Sequence, residues 1–396
     1  MGMVSDDVLR SVVALEDPLG VLSIYVGVLP VEETGPGLVW ELELRHELDQ
    51  ARERLDREVG TGRAALDRRL DELADELDLL ASPRESGRGR ALFAGLADGA
   101  AIRVGLQQPF RTRVAVAACS LARPLASALE AGRPAGIALV SQSELRIFEW
   151  CLGEVEELRS IPVPEFEDRH ELLGPSAARP RSAPQSGPSF HLGQQRDLHD
   201  RRMDDAQRRF VAQALNLEEL AGKRGWEDLV LAGELSLAEG VLMHVQERSA
   251  VEVLVDPRLL GWLTPPELGM AVGPALERER ARRQLAELDL ARGEALAGGK
   301  GAIGLADTLS ALAEGRVDRL LLPAERELRG SRAPDGRFFP RGVAPPGVGR
   351  ADLRSEELLA ERMIQRALAT DAHVTLLRGA AEAALGDDEA AALLRW

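Results

Sequence analysis

The chain has 396 residues, 45% of them hydrophobic but only 4% aromatic, and a formal net charge of −16. That length allows two to four domains, and the apolar fraction is enough to build sizeable cores from Leu, Val and Ala, a composition suited to helices packed on sheets. So acidic a chain is not drawn non-specifically to nucleic acid or to an anionic membrane, which excludes those partners unless basic residues are concentrated locally.

No apolar run of about 18 residues is present to span a bilayer. Met1 to Arg10 carries two acids and no apolar signal core. The expectation is a cytoplasmic protein. The two cysteines, Cys119 and Cys151, make no CxxC pair and have no histidine at ligand spacing. They read as small buried thiols in a reducing compartment, with no zinc site. Neither a cofactor nor a metal is expected.

In chain order, a helix-like opening leads into Val21-Leu-Ser-Ile-Tyr-Val26, a β-branched apolar run that predicts a buried strand. From Leu38 to Leu80 leucines recur at spacings of three and four, which predicts two long amphipathic helices broken at Gly60-Thr-Gly62. Arg88 to Leu96 reads as a turn and a strand, Ala100 to Leu106 as its hairpin partner, and Val114 to Ala118 as another strand. Beyond Gly132, strands are expected at Ile137–Val140, Glu144–Trp150 and Glu154–Ile161, an antiparallel meander. Leu173 to Gln195 is rich in Pro, Ser, Gly and Arg without apolar periodicity and reads as a long mobile loop. A helix follows from Arg196 to Ala221. Trp226–Ala232, a short helix to Arg248 and Val251–Val255 then predict a β-α-β unit with parallel strands.

Thr264-Pro-Pro-Glu267 signals the start of a helix running through Leu296. After it come a glycine-rich loop at 298–304, a short helix Asp307–Glu314 and a strand Val317–Leu322. A Pro/Gly-rich surface insertion over Ser331–Gly349, a helix Leu353–Ala369 and a strand Val374–Leu377 complete the pattern. This alternation predicts an α/β/α sandwich. The organisation expected is three domains: 1–130, 131–263 and 264–396.

Signals for chemistry are sparse. The glycine-rich loop holds Lys300, but Gly301 follows where a P-loop needs Ser or Thr for magnesium, so a connecting loop is the better reading. Neither a nucleophile elbow nor a zincin helix occurs. The six histidines are scattered; His191 and His199 flank the end of the long loop and could touch a substrate. Residues 179–209 carry seven arginines against four aspartates, +3 in a chain of −16. A basic loop on an acidic body is what insertion among phosphates requires, while a charged helix face with internal salt pairing gives the same composition.

The order of a meander, a long loop ending in Gly193-Gln194, a basic helix with Phe210-Val211, and then Leu229-Val-Leu-Ala-Gly233 resembles the middle domain of archaeo-eukaryotic class I release factors and Pelota, in particular their bacterial branch. Gly304 to Leu312, Gly315 to Leu322 and the final Leu-Leu-Arg-Trp396 are similar to the C-terminal domain of that family. The resemblance covers residues 131–396 well and the first 130 loosely. It implies a three-domain α/β architecture with an RNase H-like middle domain and a C-terminal α/β/α sandwich of the kink-turn-binding ribosomal protein type.

In function it implies work in the ribosomal A site. Gln194 and Gly193 would be catalytic, and Arg179, Arg181, Arg196, Arg201 and Arg202 would hold RNA. The partners would be rRNA and peptidyl-tRNA, with elongation factor Tu against the C-terminal domain, and neither DNA nor membrane. Two departures matter. Leu192 stands where the family's loop has its first Gly, and the Asn-Ile-Lys-Ser stop-codon motif is absent, Asn216 being the only Asn. Three functions therefore stay open: codon-independent peptidyl-tRNA hydrolysis in ribosome rescue, non-catalytic occupancy of idle ribosomes, or a release-factor-like domain adapted to non-ribosomal RNA or protein.

Overall fold

A computed structural model describes residues 6–28, 39–57, 62–83, 85, 87–97, 99–141, 143–162, 216–246, 251–344 and 348–396. The chain divides into two compact units. Unit 1 joins residues 1–132 to 277–396, and unit 2 is residues 133–276. The architecture is mixed α/β.

The N-terminal part of unit 1 contains α1 (Asp6–Val13), β1 (Val21–Gly27), α2 (Val39–Arg57), α3 (Gly62–Glu72), α4 (Ala74–Ala81), β2 (Gly89–Gly95), β3 (Ile102–Leu106), β4 (Arg113–Ala117) and α5 (Arg123–Ala131). The leucine-rich stretch forms three helices rather than two, the second ending one residue before Leu73. The strands make an antiparallel sheet in the order β3-β2-β1-β4. Its residues alternate between faces as a strand demands. Leu22, Ile24, Val26, Leu92 and Val114 meet Trp40, Leu44, Leu66, Leu70 and Leu80 of the three helices. Trp40 buries its ring there and donates its indole N–H to Ala81 O at 3.0 Å. Tyr25 sits on β1 between these core residues; its hydroxyl donates to Leu121 O and its ring meets Phe93 and Phe110 edge-on.

Unit 2 contains β5 (Ala135–Val140), β6 (Glu144–Cys151), β7 (Glu154–Pro162), α6 (Leu217–Arg224), β8 (Asp228–Gly233), α7 (Leu235–Gln246) and β9 (Glu252–Asp256). Its sheet runs β7-β6-β5-β8-β9, antiparallel through the meander and parallel from β5 onward, as expected from the sequence.

The C-terminal elements are α8 (Pro265–Leu296), β10 (Gly301–Ile303), α9 (Leu305–Ala313), β11 (Val317–Pro323), β12 (Gly330–Arg332), β13 (Phe338–Pro340), β14 (Arg354–Glu356), α10 (Leu359–Ala369), β15 (His373–Leu377), α11 (Gly379–Leu385) and β16 (Ala391–Leu394). The Thr264 amide and hydroxyl both donate to Glu267, at 2.9 and 2.7 Å, closing the first turn of α8 and holding the Glu267 carboxyl below its usual range. The first half of α8 sends Leu268, Val272 and Leu276 into the core of unit 2; its second half sends Leu288 and Ala291 into unit 1.

The sheet of this part is β10-β16-β11-β15, with only the β11–β15 pair parallel. Leu321, Leu377 and Ala391 face α8 and α11, and α9 and α10 also pack on these strands. Two expectations are corrected here. The 298–304 loop contains an edge strand, and the stretch expected as an insertion followed directly by a helix contributes three short strands, ordered β13-β12-β14.

Within unit 1, Glu361 of α10 reaches the start of α5. Its Oε2 accepts the backbone amides of Ala122 and Arg123, each at 2.9 Å, while its Oε1 lies 3.7 Å from the Arg123 guanidinium. Both side chains are almost completely buried, at 3% and 1% exposure. Burial pushes the Glu361 carboxyl up to about 7, against the pull of Arg123 and the two amides.

Candidate functional site

The middle unit is a frame with both faces of its sheet covered. On β5, Ala138 and Val140 point into one core while Ala135, Ile137 and Leu139 point into the other. β8 alternates likewise, Leu229 and Leu231 against Val230 and Ala232. This two-sided burial is why Leu229-Val-Leu-Ala232 is apolar throughout rather than alternating. One core is closed by Leu217 and Ala221 of α6, Trp226, and Leu237, Ala238, Val241 and Val245 of α7. The other is closed by Leu260, Leu268, Val272 and Leu276.

β7 is the edge strand at the meander end of this sheet and stops at Pro162, paired with Glu144. An edge is where a strand tolerates a proline. The described chain resumes at Asn216, with a left-handed φ of 42°, directly before α6. Residues 163–215 thus leave from a sheet edge and return to a helix anchored by Leu217 and Ala221.

Charges around this edge are paired. Arg146 grips Glu157 with two hydrogen bonds, at 3.0 and 2.7 Å, and holds its carboxyl below the usual range. The same guanidinium lies 4.8 Å from the Phe148 ring centroid. Glu149 accepts from Trp226 Nε1 at 2.9 Å and from Arg224 at 3.1 Å, tying the end of α6 to β6.

Gly193, Gln194, Arg179, Arg181, Arg196, Arg201 and Arg202 all lie outside the described residues, as do His191 and His199 and the Arg196 end of the expected basic helix. The described residues therefore show where the segment carrying them is attached, and nothing of their mutual geometry. Among the described residues no cluster of three or more His, Cys, Asp or Glu could hold a metal ion. No helix among them is long and apolar enough to cross a membrane. Cys119 is buried, and burial pushes its thiol up to about 12.

The glycine-rich stretch has a packing explanation. A Cβ on Gly301 would sit 2.3 Å from Ala291 O and 2.5 Å from Ala295 N, so only glycine lets β10 pass this close to α8. Lys300 is pinned, its amide donating to Glu294 at 2.9 Å and its Nζ to Arg395 O at 2.9 Å. The stretch carries β10 onto the edge of the C-terminal sheet, beside β16.

Residues 122–259, from the residue before α5 to just past β9, match the family model described as bacterial archaeo-eukaryotic release factor family 10. The match spans about a third of the chain. The match contains the whole five-stranded sheet together with residues 163–215.

Among solved structures the chain is similar to the archaeal translation termination factor aRF1, at 16% identity over 99% of this chain and 97% of that one, with a TM-score of 0.22. A model of ribosome-bound archaeal Pelota and ABCE1 is similar at 12% identity over 99% and 94%, TM-score 0.36. Dom34 of S. cerevisiae, described as a translation termination-like factor involved in RNA quality control pathways and interacting with Hbs1, is similar at 9% identity over 75% of each chain, TM-score 0.40. No curated protein matches the chain.

Proposed function

We propose that the protein enters the ribosomal A site and hydrolyses peptidyl-tRNA without reading a codon, releasing nascent chains from stalled ribosomes. The observation that carries this is positional. Gly193-Gln194 falls in the segment between edge strand β7 and anchored helix α6, inside the stretch that matches a release-factor family.

In this reading Gln194 positions a water against the ester carbonyl of peptidyl-tRNA, and its backbone amide stabilises the developing oxyanion. Attack forms a bond from the water oxygen to the carbonyl carbon. The bond to the tRNA 3′-oxygen breaks, and that oxygen takes the proton. Gly193 allows close approach of the backbone. Arg179, Arg181, Arg196, Arg201 and Arg202 hold rRNA phosphates and concentrate positive charge where the acidic chain needs it. The absence of the Asn-Ile-Lys-Ser motif favours codon-independent action.

A second reading has one observation in its favour: Leu192 puts a Cβ where the family's loop has glycine. The protein would then occupy the A site of idle ribosomes without chemistry, with elongation factor Tu against its C-terminal domain.

The test is cosedimentation of the full chain with ribosomes, empty or carrying peptidyl-tRNA, at two salt concentrations, with released peptide counted in the same samples. Binding that weakens with salt, release by the parent chain, and binding without release by Gln194→Ala are the expected results. Binding with no release by the parent chain would replace hydrolysis with occupancy, and absence of binding would reject both.

A further inference from the structure

Unit 1 holds a cleft of about 700 Å³ between its N-terminal and C-terminal sheets, within the range of small-molecule sites. Five arginines line it: Arg54 from α2, Arg111 and Arg113 from the approach to and start of β4, Arg123 at the start of α5, and Arg378 just before α11. Three carboxylates share the lining, Glu47, Glu325 and Glu327.

The pairing among these groups is unequal. Glu327 takes two of the arginines, with Oε1 at 3.1 Å from Arg113 and 3.2 Å from Arg123. Glu47 is engaged by the backbone amide of Val114 at 3.3 Å. The other three guanidiniums meet no carboxylate among the described residues. Arg54 donates only to the carbonyl oxygens of Gln50 and Val114, at 3.2 and 3.3 Å. Arg378 directs Nε and Nη2 onto the buried hydroxyl of Ser127, at 2.8 and 2.5 Å. Arg111 is exposed and makes no hydrogen bond or ion pair among the described residues.

In a chain where 65 acids outnumber 49 basic residues, carboxylates are the commonest partners available to an arginine. Three guanidiniums converging on one cleft without one is therefore informative. Guanidinium forks match the oxygens of phosphate, and several around one cavity suit a multiply charged anion better than a single carboxylate. Phe110, whose ring meets Tyr25 at the back of the cleft, adds an apolar wall.

We propose that this cleft binds a phosphate ester of nucleotide size through Arg54, Arg111 and Arg378. The inference stands apart from the ribosomal reading, because none of these residues belongs to the 163–215 segment.

The test titrates the full chain, free of ribosomes, with GTP, ATP and a 5′-phosphorylated RNA trinucleotide, its 5′-hydroxyl counterpart serving as control, by calorimetry at low salt. The expected result is saturable binding of at least one phosphorylated probe. Affinity should fall roughly tenfold or more in Arg111→Ala, whose side chain supports no other contact, and further in Arg54→Ala/Arg111→Ala. Nucleotide binding against trinucleotide binding identifies the source of the phosphate. If no phosphorylated probe binds, or if binding is equal in the parent and both variants, the proposal is overturned. Unchanged thermal unfolding of Arg111→Ala separates loss of a contact from loss of fold.

Discussion

Arg123→Met will destabilise unit 1 by roughly 3–5 kcal/mol at pH 8 and by much less at pH 5. The residue is buried beside Glu361, which it approaches to 3.7 Å. Methionine fills most of the space but leaves a buried carboxyl without its cation. The sign of the pH dependence follows from burial. In the parent chain desolvation raises the Glu361 carboxyl from 4.5 to about 7. A group whose folded value is raised contributes stability that is fully present below the unfolded value and is lost as pH rises through the folded one, here between about 4.5 and 7.

Without Arg123 the strongest opposing attraction is gone, so the folded value moves higher still. Below it the proton stays on, the site is neutral and the variant tolerates the loss. Above it a bare carboxylate is held only by the amides of Ala122 and Arg123. Denaturant midpoints for the parent chain and Arg123→Met at pH 5, 7 and 8.5 measure this. A penalty that is the same at all three values would show that the Arg123 contacts to Glu327 and Arg326 O, and not Glu361, set the cost. Glu361→Gln, which cannot ionise, should flatten the pH dependence of the parent.

The contrast between what the sequence announced and what it hid has a physical basis. Strands buried on both faces, such as β5 and β8, write themselves as unbroken apolar runs, and the meander shows as runs separated by turns. The long helix α8 was legible from Thr264-Pro-Pro-Glu267, because capping chemistry is local. The three-residue strands β12, β13 and β14 were not. They are short and polar or sit among Pro and Gly, and exist because they pair with one another rather than from their own propensity. β16 was invisible for a related reason. Ala391–Leu394 is a strand because it bridges β10 and β11, a pairing set by tertiary structure.

The candidate sites divide in the same way. The Gly193-Gln194 pair gains meaning only from its place between β7 and α6, which the order of elements already suggested. The arginines at 54, 111, 113, 123 and 378 share no local pattern. Only the tertiary packing of unit 1 brings them to one cleft.

Gly233→Ala will destabilise the middle unit by about 3–5 kcal/mol, enough to lower its unfolding transition sharply while leaving that of unit 1 in place. Gly233 ends β8 with φ +125°, a conformation that a side chain disfavours. A Cβ there would stand 2.0 Å from Val140 O and 2.9 Å from Val140 C. Both are backbone atoms of the neighbouring strand and cannot swing aside. Val140 is the register partner of Gly233, and its carbonyl also accepts the Glu234 amide at 3.1 Å. Alanine must therefore push apart the central parallel pair, β5 and β8, to which α7 and the return of the 163–215 segment through α6 are attached. The comparison variant is Gly222→Ala at an exposed position of α6, where an added Cβ meets nothing within 4 Å and should stabilise the helix by about 1 kcal/mol. Hydrogen exchange of the β5 and β8 amides in both variants reads the difference locally. Equal protection in the two would mean that the end of β8 can yield, and that the close approach at Val140 is not what fixes glycine at this position.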